Sequence, residues 1–167
     1  MHAYKVSTPS DTERIMEIVA DAKQSLAIRG IDQWQRGYPN SESIASDSAR
    51  GVGRVIVVDG KIATYGALIF DGEPAYRTPR RGEWLSGLPY AVVHRLCTAN
   101  EFTRRGLAAE LLTRAEEEAR AKGFGSFRID THPENLYMRQ MLPRLGFVEC
   151  CEVWIESLRI GYEKILR

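Results

Sequence analysis

The stretch from Val92 to Ala119 constrains this chain most, because a β-rich run from Val92 to Thr98 passes through a short polar loop into Arg104-Arg105-Gly106-Leu107-Ala108-Ala109 and then into a helix. Ala108, Leu111, Leu112, Ala115 and Ala119 recur on one helical face, and Gly123 stands where a helix is capped. Strand, turn, glycine, helix is an arrangement suited to anions. The first amides of a helix lack internal acceptors and the helix dipole is positive there, so a phosphate can accept several backbone hydrogen bonds at once. Small residues at Gly106, Ala108 and Ala109 let such a group come close. A basic turn opening an ordinary amphipathic helix explains the same residues, since a lone glycine motif is a weak signal.

The remaining segments alternate between the two periodicities. Tyr4 to Ser7 reads as a short strand. Ser10 and Glu13 form a Ser-x-x-Glu capping box, after which Ile15, Ile18, Val19, Ala22 and Leu26 keep helical spacing until Gly30. Residues 31–40 mix aromatics with turn formers, and a weaker helix is expected from Ser43 to Arg50. Arg54 to Val58 and Ile62 to Phe70 are β-rich and joined through Asp59-Gly60, a hairpin signal. Residues 71–90 are rich in Gly, Pro and Arg without periodicity, and a long loop of that kind is usually functional. A strand is expected at Ala91 to Thr98, a helix at Leu107 to Lys122, a strand at Ser126 to Thr131 and a helix at Asn135 to Leu145. Two strands, Val148 to Ile155 and Leu158 to Leu166, finish an α/β pattern around a mixed sheet.

Composition narrows the function classes. A length of 167 residues suits one domain spanning 1–167, and no linker divides it. Lys plus Arg number 23 against 22 Asp plus Glu, which gives no electrostatic reason to expect a nucleic-acid partner. Arg77 to Arg81 and Arg104-Arg105 are the only basic clusters behind such a reading. No apolar run approaches the roughly 18 to 20 residues of a membrane span, so no membrane is expected and the location expected is cytoplasmic. Cys97, Cys150 and Cys151 suit neither a disulfide framework nor a spaced metal site, and the histidines lack metal-binding partners. Reduced thiols and no metal are expected.

On these residues the chain resembles the GNAT acetyltransferases. Thr103-Arg104-Arg105-Gly106-Leu107-Ala108 is similar to the family's pyrophosphate loop, with Thr103 where Gln or Arg is usual. Asn135, Met138, Leu142, Gly146 and Phe147 match the spacing of a second family helix, with Leu142 where a Tyr often protonates the leaving thiolate. The chain is also similar to a bacterial subgroup carrying Gly30-Ile31-Asp32-Gln33-Trp34, Tyr38-Pro39 and Asp130-Thr131-His132-Pro133. The resemblance implies an acyl-CoA N-acyltransferase fold: a single mixed, mostly antiparallel sheet of about six or seven strands, splayed between the fourth and fifth, with about four flanking helices. It implies acetyl-CoA as co-substrate, a small-molecule or peptide amine as acceptor, and a possible homodimer. Leu96, Cys97 and Thr98 would bond the pantetheine arm through their backbone, and an amide near Leu96 or Cys97 would polarise the thioester carbonyl. Thr103, Arg104, Arg105, Gly106, Leu107, Ala108 and Ala109 would hold the pyrophosphate, and Asn135, Met138 and Arg139 of the second helix would also bind the cofactor; for Arg104, Arg105 and Arg139, solvated surface arginines are the default alternative to a phosphate contact.

An acceptor amine must attack as the free base, and an alkyl ammonium has a pKa of about 10.4. His94, two residues before Leu96, is the first candidate for the base, because an imidazole titrates near neutrality. A half-buried histidine satisfied by hydrogen bonds fits that position equally. Glu73 and His132 are the other candidates, and Asp130 and His132 are an alternative orienting pair. Trp34, Tyr38, Tyr76 and Trp84 lie in irregular segments, where large aromatics either wall a pocket or pack beneath loops. The rival class is a non-catalytic acyl-CoA binding module, which Thr103 and Leu142 keep open.

Overall fold

The structure, a computed structural model, describes residues 1–167. Its strands are β1 (His2–Val6), β2 (Gly53–Val58), β3 (Lys61–Ile69), β4 (Arg81–Gly82), β5 (Tyr90–Thr98), β6 (Ser126–Thr131), β7 (Val148–Ile155) and β8 (Ser157–Ile165). Its α-helices are α1 (Thr12–Ile28), α2 (Ser41–Ala49), α3 (Leu107–Ala121) and α4 (Leu136–Arg144). The strands form one eight-stranded sheet in the order β1-β2-β3-β5-β6-β8-β7-β4. β5 and β6 run parallel, whereas β1–β2, β2–β3, β4–β7, β6–β8 and β7–β8 are antiparallel. The two strands expected to splay are laddered over three pairs, Tyr90↔Ser126, Ala91↔Phe127 and Val92↔Arg128, although β5 continues to Thr98 and β6 to Thr131. No helix is long and apolar enough to cross a membrane.

The chain divides into two compact units, Met1–Leu68 with His94–Arg114 and Ile69–Val93 with Ala115–Arg167. In the first, the apolar stripe of α1 puts Ile15, Ile18 and Val19 into a core with Ile44, Val55, Ile62, Tyr65, Cys97 and Ala99. Asp59 (φ 49°) and Gly60 (φ 84°) make the hairpin turn between β2 and β3, as the Asp-Gly signal predicts. The start of α1 differs from expectation. Pro9–Asp11 forms a 3-10 turn and α1 begins at Thr12; the reciprocal cap is Thr8 N to Asp11 Oδ2 (2.8 Å) with Asp11 N to Thr8 O (2.9 Å), in place of Ser10 and Glu13. Pro9 at the first position favours this tighter turn, because it has no N–H to satisfy. Helix α2 begins two residues before its expected start because Asn40 caps it, accepting from Ser43 N at 2.9 Å.

In the second unit, β8 lies between β6 and β7, with Ile129↔Tyr162 and Glu152↔Ile160 in register. Glu156, at φ 63°, turns the chain between β7 and β8. The segment 71–90 is less irregular than its composition suggests. It holds a 3-10 turn at Pro74–Arg77 and strand β4, whose pairs Arg81↔Glu152 and Gly82↔Cys151 raise the strand count to eight. Only glycine fits at position 82: its φ is 72°, and a Cβ there would lie 2.2 Å from Cys150 O. Asn135 is the N-cap of α4, with its Oδ1 accepting from Met138 N, and Pro143 sits in the last turn just before the helix ends at Arg144.

A buried carboxylate ties this unit together. Glu163, wholly inaccessible, accepts from Leu85 N (2.7 Å), Ser86 Oγ (2.7 Å) and Ser126 Oγ (2.5 Å), and its Oε2 lies 3.4 Å from Arg128 Nε. The Arg128 guanidinium is also stacked on Trp84 and Tyr90, 4.4 and 4.1 Å from the ring centroids. Removing one partner of such a pair leaves the other charge buried and uncompensated. Glu163→Ala is therefore expected to destabilise the fold by about 3–5 kcal/mol, read from urea unfolding; a loss below about 1 kcal/mol, the range of exposed pairs, would contradict this reading.

Candidate functional site

The turn that opens α3 belongs to the first unit. Asn100–Phe102 forms a 3-10 turn fixed to the α1 side by Asn100 N donating to Asp21 Oδ2 at 2.9 Å, while Glu101 bridges Arg14 and Lys61, each at 2.9 Å. Thr103 donates from Oγ1 to Asn100 O at 3.0 Å, so its short side chain closes this turn. The backbone then passes through two left-handed residues, Arg104 (φ 64°) and Gly106 (φ 72°). Leu107 is buried and anchors the helix, whose first bond runs from Glu110 N to Gly106 O at 3.0 Å. The amides of Leu107, Ala108 and Ala109 thus have no acceptor within the helix. Nothing lies within 4 Å of the position a Cβ on Gly106 would take. Arg104 and Arg105 are exposed, with the Arg105 guanidinium 5.2 Å above the Phe102 ring.

The part of β5 past its ladder with β6, from His94 onward, lies in the same unit. Arg95 has φ 58°, an interruption of extended backbone inside a strand, and His94, Arg95 and Leu96 are all half-buried around it. Its guanidinium is held on two sides of Asp47, Nε to Oδ2 at 2.9 Å and Nη2 to Oδ1 at 2.7 Å, and donates from Nη1 to Tyr38 Oη at 2.6 Å. Asp47 also accepts from Tyr65 Oη. Burial acts to lower the Arg95 pKa, and the hydrogen bonds and charge of Asp47 outweigh it, leaving a net rise. Burial, reinforced by Asp47, raises the Tyr65 phenol, so it stays a donor. Beyond the bend, Cys97 is buried, Thr98 Oγ1 lies 3.0 Å from Thr64 Oγ1, and Ala99 N donates to Ala63 O at 2.8 Å.

In the second unit the structure brings together three residues picked from the sequence. Tyr76 donates to Asp130 Oδ2 at 2.6 Å, Trp84 Nε1 donates to Tyr76 O at 2.8 Å, and the two rings are 4.9 Å apart. Arg159 Nη1 lies 3.4 Å from Asp130 Oδ1. Burial, with Asp130 next, raises the Tyr76 pKa well above its ordinary value. Glu73 caps the Pro74–Arg77 turn through Ala75 N (3.2 Å), and His132 Nδ1 accepts from Glu134 N (3.1 Å), which places the ring proton on Nε2 in the neutral form. Arg139 donates to Pro133 O and Glu149 Oε1, both at 3.0 Å. Leu142, where a Tyr is usual in the family, is completely buried. Of the two remaining aromatics, Tyr38 joins Arg95, and Trp34 packs against the core of the first unit.

Asp47, Tyr65, Arg95, Arg159 and Glu163 were not picked out by sequence reasoning. A signal existed for Asp47, which sits three residues after Ile44 on the buried stripe of a short helix. Arg159 likewise interrupts the β8 run with charge between Leu158 and Ile160, whereas Glu163, between Tyr162 and Lys164, carries no such mark.

Residues 13–147 match the acetyltransferase (GNAT) family. A GNAT-family acetyltransferase from Streptococcus agalactiae is similar in structure with a TM-score of 0.92 and 33% identity, over 99% of this chain and 96% of that one. The PaiA N-acetyltransferase from Thermoplasma acidophilum, in complex with coenzyme A, gives 0.73 at 18% identity over 99% of each chain. The acetyltransferase yncA from Salmonella typhimurium, with its cofactor acetyl-CoA, gives 0.70 at 14% identity over 99% of this chain and 94% of that one. At those last two identities the likeness is one of fold. No curated protein sequence matches the chain.

Burial pushes the Cys97 thiol up to about 12, against an ordinary value near 9.0. Below the lower value both folded and unfolded chains keep the proton. Between them the unfolded chain releases it and the folded chain retains it, so stability falls as pH rises through that window. Cys97→Ala is expected to flatten the decline in unfolding free energy between pH 9 and about 12, measured by urea melts. Wild-type and variant slopes that coincide would show that the thiol is not desolvated.

Proposed function

The chain belongs to the GNAT acetyltransferase family, and from that premise we propose that it transfers an acetyl group from acetyl-CoA to a primary amine by direct attack within a ternary complex. The observation that carries the cofactor assignment is the opening of α3: exposed basic residues, two left-handed positions, a glycine with open space beside it and three helix amides without helical acceptors. The residues present fit a pyrophosphate, since Gly106 takes the left-handed turn without a side chain directly before those amides. Backbone amides of Leu107, Ala108 and Ala109 would hold it, with Arg104 and Arg105 as charge partners. Three consecutive residues of β5, Leu96, Cys97 and Thr98, lie past the end of the parallel ladder and would bond the amides of the pantetheine arm as an added strand does. The coenzyme A and acetyl-CoA bound to the Thermoplasma acidophilum and Salmonella typhimurium proteins of the same fold support this assignment.

Bound acetyl-CoA supplies an activated acyl group and a thiolate leaving group. The chain supplies position and proton transfer. An amide at Leu96 or Cys97 polarises the carbonyl, and a base takes the proton from the acceptor ammonium. His94 is that base in our reading, because it adjoins the Arg95 bend and Leu96; Glu73 and His132 are the alternatives. Tyr38 and Trp34 are proposed as acceptor contacts on the 31–40 loop, and Tyr76, Trp84 and Asp130 as a second set. The acceptor is a small-molecule or peptide amine.

Two variants test the two halves of the reading. Gly106→Glu, which brings bulk and negative charge to the cradle, is expected to abolish coenzyme A binding in calorimetry, and an unchanged affinity would refute the cofactor site. His94→Ala is expected to lower kcat at neutral pH by about 10²-fold or more and to change the pH profile, with coenzyme A affinity nearly unchanged. A wild-type profile removes His94 from the mechanism. Turnover with none of a broad amine panel, alongside tight coenzyme A binding, would favour the non-catalytic binding module.

A further inference from the structure

We infer that Asp47 and Arg95 form a positioning device, holding β5 in a left-handed bend at residue 95 and so setting the backbone of the Leu96 and Cys97 that follow. The inference rests on the acetyl-transfer reading for its catalytic consequence, and on geometry for the rest. A residue with a Cβ disfavours φ 58°, and such conformations persist where the surroundings over-determine them. The surroundings of Arg95 do so. Its guanidinium is gripped bidentately by Asp47 of α2 and capped by Tyr38 Oη from the 31–40 loop, while Tyr65 of β3 holds Asp47 in place. Four segments of the first unit, the 31–40 loop, α2, β3 and β5, are thereby tied through the Asp47–Arg95 pair. Asp47 is only 2% exposed and the Arg95 side chain 11%. A pair so buried adds little stability compared with well-packed apolar residues, because desolvation offsets its attraction, whereas the fork geometry fixes orientation closely.

The location gives the bend its use. Arg95 separates the proposed base, His94, from the proposed carbonyl donor at Leu96 or Cys97, and one left-handed residue in a strand re-aims the groups on either side of it. The Arg95 side chain itself is committed to Asp47 and Tyr38, so it acts through the backbone. It is a positioning residue and Asp47 is its anchor.

The test is a rescue experiment on the full chain. Asp47→Asn and Arg95→Lys, which break the bidentate grip, are expected to lower kcat at least about tenfold, with a smaller fold-change in KM for acetyl-CoA, whose pantetheine arm the same backbone would bond. The double variant Arg95→Gly with Asp47→Asn is expected to return to within about threefold of wild-type kcat, because glycine adopts positive φ without an anchor. A folded double variant as slow as Arg95→Lys would mean that the guanidinium acts on substrate directly, and Asp47→Asn with wild-type kcat would make the pair merely structural; either result overturns the inference. Amide hydrogen exchange gives a readout independent of turnover and of the other variants. Arg95→Lys is expected to speed exchange at residues 94–98 with α3 unchanged, and equal rates would overturn the bend's dependence on the pair. Should the wild-type protein neither bind coenzyme A nor turn over, the acetyl-transfer reading fails by itself, and the exchange data still decide whether Asp47 and Arg95 hold the bend.

Discussion

Each unit of this fold closes on one buried carboxylate whose demand for hydrogen bonds is met only when several elements arrive together. Asp47 draws in Tyr65 of β3 and Arg95 of β5, with Tyr38 added through the guanidinium. Glu163 draws in the 85–86 segment, Ser126 of β6 and Arg128. Left unpaired, either charge would be far costlier than a lost apolar contact, so these residues specify which packing is native even where they add little net stability. Both carboxylates act on strands next to the short parallel ladder. Asp47 fixes the far part of β5, and Glu163 fixes the first residue of β6.

Local physics made much of this architecture readable. The boundaries of β6 and β7 follow directly from the sequence, as does the start of α3, because in each case an apolar period meets a glycine or a turn residue. Where the reading moved, a specific local competitor won. Pro9 and the Thr8–Asp11 exchange displaced the expected Ser10–Glu13 cap, and Asn40 captured the start of α2. The 71–90 segment is different in kind. Its order comes from pairing with β7 and from Leu85 reaching Glu163, contacts distant in sequence that no window of residues can reveal, with Trp84 closing on Tyr76 within the segment. The same reason hid the Arg95 bend, since a strand-like run carries no mark of one left-handed arginine whose partner lies 48 residues away.

The candidate site is legible to the extent that it is built from backbone. A phosphate cradle needs a helix start, a glycine and small neighbours, and all three are written in consecutive residues. Side-chain chemistry is not so written. The aromatics of residues 31–40 and 71–90 are engaged in quite different ways: Tyr38 on Arg95, Trp34 packed against the core of the first unit, Tyr76 on Asp130 and Trp84 on Tyr76. A family and a fold leave that part of the chemistry open.

Within the acetyl-transfer reading, Leu142 bears on one proton and His94 on another, and the two are unequal. A thiolate with a conjugate acid near the ordinary thiol value of about 8.5 departs with modest penalty at neutral pH, so an acid at position 142 has little to add. An acceptor ammonium near 10.4 must lose its proton before it attacks, and at neutral pH only about one molecule in 2,500 has done so. A base is therefore worth far more than an acid. The burial of Leu142 removes a side chain that this chemistry can spare, whereas the bend at Arg95 governs the backbone next to the one it cannot.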